Sequence, residues 1–474
     1  MNIPSLIVLI ALVAGLFGSE ALIVDLIFIL PSFEAMAVLP PALLGGTSLT
    51  PGSMAAFFFI LRAIMKPGLL QGLLAALVDF RRLGWLGLFF IVAAAGAVVL
   101  PHLFNGAIMV YGLRAPELGA VAPSMTNFTQ TGYLFLSVAV AAIVCVRVAR
   151  EPAFVDMLLK AILAGGYAVI ATGLVDIAAD AAGRDDMLVA LFHTANYGYS
   201  AGEILGASRI MGLTPEPSAF GGLASSFCAM LLFLRPAYPR SLSRWKVPVA
   251  AWGCAAMAFL STSSTAYASM FVILGLYLFY TIHAIAEDGT IIRRSAVRKA
   301  VWGTGLIFVL LVVALIDQRV IDYAANMVDT LIVKKQYTES YIERSSWTQA
   351  GMEAFAASLG LGVGVGSVRT SNFFVNLLAS TGVPGTLLFF IFLAALYRRR
   401  APQRGSREAV MITAAKLSLL PMFASLFLAG TVPDFGIVPG VLFGLIAGLA
   451  APFTQTPRQP LVRSPHPPLS LAKR

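Results

Sequence analysis

The stretch 209-RIMGLTPEPSAFGG-222 sets Arg209, Thr214, Glu216 and Ser218 between long apolar runs. An arginine just upstream of a helix start suits an anion. The first N–H groups of a helix lack partners and its dipole is positive there. The spacing predicts Thr214 as N-cap and Pro215 as the first helical residue. Pro215 and Pro217 have no N–H, which leaves the N–H of Glu216 and the N–H and hydroxyl of Ser218 as donors. Gly221 and Gly222 clear space just inside for a neighbouring helix or a ligand. Two readings of Glu216 stay open: a carboxylate that complements the helix dipole, and a base placed beside an anion site.

Two further clusters follow. In 336-QYTESYIERSSWTQAGMEAFAASLG-360, Trp347, Gly351 and Phe355 recur at helical spacing. Ser340 and Glu343 have the spacing of a capping box, which makes Glu343 a cap rather than a catalytic carboxylate. Arg344 would then stand in the first turn, an unfavourable place for a cation unless it answers another charge. Lys334 and Lys335 suit lipid headgroups, and 320-VIDYAANMVDTLI-332 has the pattern of an amphipathic helix on the membrane surface. In 360-GLGVGVGSVRTSNFFVNLLASTGVPG-385, four alternate glycines precede Arg369, Ser371 and Asn372. This is neither a GxxxxGK[ST] loop nor a strand–GxGxxG–helix unit. A tight turn packed among helices and an anion-holding loop both fit it. Asp176 joins the candidates as a carboxylate near the end of an apolar run, where ionisable groups are costly and tend to be functional. It equally fits a simple interfacial residue.

These residues must be positioned by a membrane-embedded scaffold. The chain has 474 residues, 58% hydrophobic and 12% charged, against about 25% charged in soluble domains. Spanning-length apolar runs occur near 3–18, 20–36, 46–63, 84–103, 131–149, 154–175, 215–234, 247–261, 264–283, 300–316, 374–397, 410–430 and 437–452. The first three are crowded and interrupted by Glu20, Asp25, Glu34 and prolines. The expected fold is therefore an all-α polytopic transmembrane bundle of about 12 spans. The start lacks a signal-peptide pattern, so the first run is expected to be a retained helix. Twenty-five of the 33 Lys and Arg lie in one alternate set of loops and the tail, which the positive-inside rule makes cytoplasmic. The net charge of +10 is thereby a topology signal and requires no nucleic acid.

The other eight, Arg114, Arg184, Arg209, Arg319, Lys334, Lys335, Arg344 and Arg369, fall in the opposite loops, about 104–130, 176–214 and 317–373. The third loop is long enough to expect functional structure in it, amphipathic helices included. Residues 457–474 have the composition of a disordered cytoplasmic tail behind a transmembrane domain spanning 1–456. Cys145, Cys228 and Cys254 sit in apolar runs, and the four histidines have no ligand spacing. Neither a disulfide framework nor a metal site is expected. All three arginine-bearing clusters lie on one expected side, which points to one polyanionic group there, arginine being the preferred phosphate ligand.

The ordered motifs R-x-x-G-L-x-x-E-P-S at 209–218, S-W-T-Q-A-G-x-x-A-F at 346–355 and G-V-G-V-G-S…S-N-x4-L-L-A-S-T-G-x-x-G from 362 resemble the O-antigen polymerase/O-antigen ligase superfamily of bacterial membrane glycosyltransferases. The likeness covers about residues 130–450. It implies a GT-C-like helical fold acting on undecaprenyl-pyrophosphate-linked glycans at the periplasmic face of the inner membrane, with no metal or other cofactor. Membrane lipids, a chain-length regulator and a flippase are the implied partners. Ligases of the family carry a His-Asn pair where this chain has Ser371-Asn372, which favours a polymerase. Polymerases are described with R-x10-G segments; Gly221 lies one residue beyond that spacing from Arg209, and Arg344 has no matching glycine. In the implied inverting transfer Glu216 takes the acceptor proton and Arg209 stabilises the leaving group. Arg344, Arg369, Ser218, Ser371 and Asn372 hold the pyrophosphate, and Tyr337, Tyr341 and Trp347 stack on sugars or pack. The competing expectations are an O-antigen-type ligase delivering glycan to lipid A core or protein and, from another class, a lipid-glycan flippase. A flippase should concentrate ionisable residues or broken helices at mid-membrane, whereas here they gather in one set of loops.

Overall fold

A computed structural model describes residues 2–44, 46–114, 117–196, 203–204, 207–287, 339–403 and 405–450. Within them the helices are α1 (Ile3–Phe17), α2 (Glu20–Ile29), α3 (Pro51–Ile64), α4 (Leu69–Val78), α5 (Gly84–Leu103), α6 (Met125–Arg150), α7 (Pro152–Ala181), α8 (Asp185–Phe192), α9 (Pro217–Leu234), α10 (Arg240–Ser243), α11 (Lys246–Leu260), α12 (Ser264–Glu287), α13 (Glu339–Ala357), α14 (Phe373–Arg398), α15 (Arg407–Ala429) and α16 (Ile437–Ala450). Two small antiparallel hairpins interrupt them: β1 (Met109–Tyr111) with β2 (Leu118–Ala120), and β3 (Glu203–Ile204) with β4 (Ala207–Ser208). Apolar runs of this length form helices in a membrane because each backbone N–H and C=O finds its partner within the segment.

Seven described helices are long and apolar enough to cross a membrane, and the chain is a multi-pass membrane protein. The pair α3 and α4, bent by 112° at a short break, makes an eighth if counted as one span. Helices α1, α11 and α16 are apolar but shorter. The expected run at 46–63 thus continues into a second, sharply bent helix that its composition did not announce. The expected span at 300–316, the amphipathic stretch 320–332, Lys334, Lys335, Tyr337 and the tail 457–474 lie outside the described residues.

Small residues let the helices approach closely. Gly440, Gly444 and Gly448 recur every fourth residue on α16 and lie against α6. A methyl group at Gly440 would meet the Ser137 carbonyl at 2.7 Å, and one at Gly448 would meet the Cys145 carbonyl at 2.5 Å. Such small-residue seams associate membrane helices through van der Waals packing, because lipid provides little hydrophobic drive between them. Beside this seam an aromatic layer joins α14, α15 and α16, with Phe389 stacked on Phe435 and Phe392 edge-on to Phe443.

Helix α14 is broken at Gly382 (φ 64°, ψ −170°), two residues before Pro384. Pro384 has no N–H to give to Ser380, and Val383 gives its own to the Gly360 carbonyl instead (2.9 Å). The glycine-rich turn repairs the break: Val363 donates to the Ala379 carbonyl at 2.7 Å and Gly364 to the Ser380 carbonyl at 3.1 Å. Gly360, Gly362, Gly364 and Gly366 all have positive φ. At Gly362 a side chain would also strike the Gly382 nitrogen, and at Gly366 the Thr126 carbonyl. The packed-turn reading of this segment is therefore the observed one. The amides of Gly360, Leu361, Val363 and Gly364 donate to neighbouring carbonyls and that of Gly362 to the Ser358 hydroxyl.

Cross-links sort the connecting segments into two ends. At one end Lys66 and Arg147 pair with Glu20, Arg62 donates to the Gly15 and Gly18 carbonyls, and Arg407 pairs with Asp156. At the other, Ala35 donates to the Leu213 carbonyl, Asn127 to the Val365 carbonyl and Arg369 to the Tyr111 carbonyl. There β1, β2, α13 and the glycine turn share a small core of their own, built on Ile108, Val110, Val121, Ala354, Val363 and Val368. The segments carrying Arg209, Arg344 and Arg369 all belong to this second end.

Candidate functional site

Residues 209–216 fold as a compact turn ahead of α9. Helix α9 begins at Pro217, and Glu216 is its N-cap with extended backbone (φ −153°, ψ 156°). This corrects the expected start at Thr214 and Pro215. Pro217 occupies the first helical position, where its missing N–H costs nothing. Thr214 is buried, and its hydroxyl donates to the carbonyls of Met211 (2.8 Å) and Glu216 (3.2 Å). One Asp176 carboxylate oxygen accepts the N–H groups of both Met211 and Gly212 at 2.8 Å. Gly212 takes φ 56°, in the left-handed region that glycine adopts without strain.

The guanidinium of Arg209 donates to Thr262, through Nε to the hydroxyl (3.2 Å) and through Nη2 to the carbonyl (3.1 Å). Thr262 itself has φ 46°, a strained conformation for a β-branched residue. Its signal in the sequence was the polar run 261-STSST-265 between two apolar runs, which suggested only a loop. Arg209 is therefore pinned at the mouth between α9 and the α11–α12 turn instead of lying free along the interface.

Arg344 stands inside α13, which is already helical at Glu339. Ser340 is consequently not an N-cap, Arg344 is not in the first turn, and Glu343 is an exposed residue rather than half of a capping box. Arg344 Nη2 lies 2.9 Å from Glu216 Oε2, an ion pair between half-exposed side chains. The second Glu216 oxygen accepts the Ser218 hydroxyl. Trp347, one turn on from Arg344, is buried and carries Arg369 flat on its ring, the guanidinium carbon 3.7 Å from the ring centre. This stacking is worth about 0.5–2 kcal/mol and fixes the plane of the guanidinium.

The expected helical stripe faces inward, with a methyl at Gly351 meeting Thr370 at 2.6 Å. Ser371 is buried, and its N–H donates to the Thr348 hydroxyl (3.2 Å), tying α13 to the start of α14. Asn372 caps α14, its side-chain oxygen accepting from Val375. The nearest described neighbours of these two polar groups are thus structural. Tyr341 is exposed on α13, one turn before Arg344.

Electrostatically the four charged groups form one set. Burial lowers the Arg209 pKa, opposed by Glu216 and reinforced by Arg344. Burial likewise lowers that of Arg369, opposed by Glu343 and Glu216 and reinforced by Arg344. Arginine remains charged through such shifts. Arg344 contacts Glu216, Arg209 and Arg369 lie within its electrostatic reach, and Glu343 adds a second carboxylate near Arg369, so the half-buried arginines outnumber the carboxylates here and suit a ligand with more than one negative charge.

A second polar group at this end escaped the sequence reading. Burial pushes the Glu34 pKa up to about 7, with Asp434 adding to the rise and Thr50 opposing it. The Asp434 pKa is also raised by burial. In the sequence Glu34 was one of three carboxylates interrupting the run 20–36, and Asp434 stood in the short connection between the runs ending at 430 and starting at 437. Glu34 adjoins the 209–216 turn through the Ala35 N–H to Leu213 carbonyl bond (3.1 Å). Among the described residues no group of three or more His, Cys, Asp or Glu is arranged to hold a metal ion.

No protein-family model matches the chain, and no curated protein matches it.

Proposed function

We propose that this chain is a metal-independent membrane glycosyltransferase that polymerises oligosaccharide repeat units carried on undecaprenyl pyrophosphate. The reading places it as a bacterial inner-membrane protein of about 12 spans, with the arginine end facing the periplasm and the Glu20 end facing the cytoplasm. The observation that carries it is the Arg344–Glu216 ion pair with Arg209 and Arg369, from two further segments, within electrostatic reach of the same carboxylate. Bidentate guanidinium groups suit the oxygens of a pyrophosphate, and the motif resemblance supplies the glycan.

The residues support a balanced transfer. The acceptor hydroxyl attacks the anomeric carbon of the lipid-linked sugar as its bond to the pyrophosphate oxygen breaks. Lipid pyrophosphate leaves with that electron pair, stabilised by the arginines, the kind of electrostatic term that is usually largest. Glu216 accepts the hydroxyl proton. In the structure Glu216 is held by Arg344 and Ser218. An incoming pyrophosphate competes for Arg344, and as the guanidinium turns to it Glu216 is released to act as base.

Deletion of the gene, with analysis of the lipid-linked glycan, tests the reading. Single repeat units left on lipid are expected. Accumulation of full-length polymer that is not transferred identifies a ligase instead, and loss of all periplasmic glycan identifies a flippase.

A further inference from the structure

We infer that Asp176 is the positioning residue of the arginine–carboxylate recess, holding the 209–216 turn so that Arg209 and Glu216 face one ligand; the inference rests on the pyrophosphate reading above. Asp176 lies on α7, a separate helix from those that carry the recess. A single oxygen receives two successive amides, Met211 and Gly212, both at 2.8 Å. Two amides converge on one acceptor only where the chain turns sharply, and Gly212 makes that turn with φ 56°. The opposite side of Gly212 is closed, since a methyl there would meet the Phe220 ring at 2.7 Å. Arg209 precedes this bracket by two residues and Glu216 follows it by four.

Arg209 and Glu216 at the ends of the turn are held by Thr262 and Arg344, but between them the other bonds are local or neutral, Thr214 back to the Met211 carbonyl and Ala35 to the Leu213 carbonyl. Asp176 supplies the charge-assisted anchor, roughly twice as strong as a neutral hydrogen bond. Without it the turn has no acceptor for two half-buried amides, and the arginine and the carboxylate at its two ends lose their fixed separation. Asp176 is thereby distinct from the ligand-facing groups, because its carboxylate is engaged with backbone.

Purified full-length protein in nanodiscs tests this, with inorganic pyrophosphate as the probe and hydrogen exchange at the Met211 and Gly212 amides as the second readout. Asp176→Ala removes the acceptor, whereas Asp176→Asn keeps one carbonyl oxygen that accepts both amides without the charge. Asp176→Ala should speed exchange at both amides and weaken pyrophosphate binding about tenfold, the scale of one charge-assisted hydrogen bond. Asp176→Asn should restore most of both. Gly212→Ala, which disturbs the same bracket from its other side, should weaken binding similarly, and the two losses should not add in the double variant.

If Asp176→Ala loosens the amides but leaves affinity unchanged, or if Asp176→Asn binds as poorly as Asp176→Ala, the positioning role is overturned. Should Asp176→Ala not fold, the asparagine and Gly212→Ala variants decide by the same criteria. Failure of the wild-type protein to bind pyrophosphate sinks the functional reading instead, and exchange at the two amides, with its rescue by asparagine, still tests the bracket.

Discussion

At the end of the bundle that holds Arg62, Arg147 and Arg407, each of these cations meets carboxylates or carbonyls of the protein. Arg147 is buried and pairs with Glu20 and Glu151, Arg62 caps the carbonyls that end α1, and Arg407 bridges Asp156 and the Ala237 carbonyl. Burial alone would raise the Glu20 pKa, but Arg147 and Lys66 bring it down to about 2. At the opposite end Arg344 pairs with Glu216, while the guanidinium groups of Arg209 and Arg369 rest on a threonine and a tryptophan ring. The same residue type thus ties helices together at one end and holds a surplus of positive charge at the other. The difference lies in what the carboxylates contact: Glu20, Glu151 and Asp156 pair with arginines, whereas Asp176 is engaged with backbone amides and Glu216 meets one of the three arginines.

The sharpest way to break this contrast is to remove charge from the second end. Glu216→Gln and Arg209→Ala should each lower chain elongation about 1,000-fold, with protein levels in the membrane unchanged. Near-normal glycan length in Glu216→Gln would remove it as the base. The opposite pattern belongs to Arg147→Ala, which should cost roughly 3 kcal/mol of stability by leaving Glu20 without its buried partner. Elongation per folded molecule should be retained, and thermal unfolding alongside activity checks both parts. Equal loss of activity in Arg147→Ala and Arg209→Ala would erase the distinction between the ends.

A smaller effect tests Glu34, beside the recess. Its folded pKa is raised from 4.5 to about 7, so the folded state favours the protonated acid. That contribution is fully present below pH 4.5 and is lost as pH rises through 7. Wild-type stability should therefore fall by about 3 kcal/mol over that window from this group, and Glu34→Gln should flatten the profile; an unchanged profile would refute the shift. Last, Trp347→Leu removes the ring under Arg369 and should weaken pyrophosphate binding several-fold, matching about 1 kcal/mol of cation–π energy. Unaltered affinity would mean that the stacking does not orient Arg369 for the ligand.

Much of the scaffold was legible before any coordinates. Apolar length marked α5, α6, α7, α9, α12, α14 and α15, because a membrane span must satisfy its backbone within one segment. Spacing also placed Trp347, Gly351 and Phe355 on one helical stripe, but it left the glycine run open between a packed turn and an anion-holding loop. Boundaries that depend on competing local bonds were not legible. Thr214 has the better side chain for capping, yet it is folded into the 209–216 turn and the helix starts behind Glu216. Ser340 and Glu343 match a capping box, yet the helix already includes Glu339.

The sequence by itself determined that this is a helical multi-pass membrane protein, that its basic residues divide between two sets of loops, and that three arginines accompany Glu216 in one set. Those are properties of composition and of short-range period, which act within a single segment. Only the tertiary structure decided that Arg344 meets Glu216, that Thr262 holds Arg209, that Asp176 brackets the turn between them, and that Glu34 shares its burial with Asp434. Each of these joins residues far apart in the chain. Their meeting depends on how helices pack through small residues and breaks, which a linear pattern does not encode.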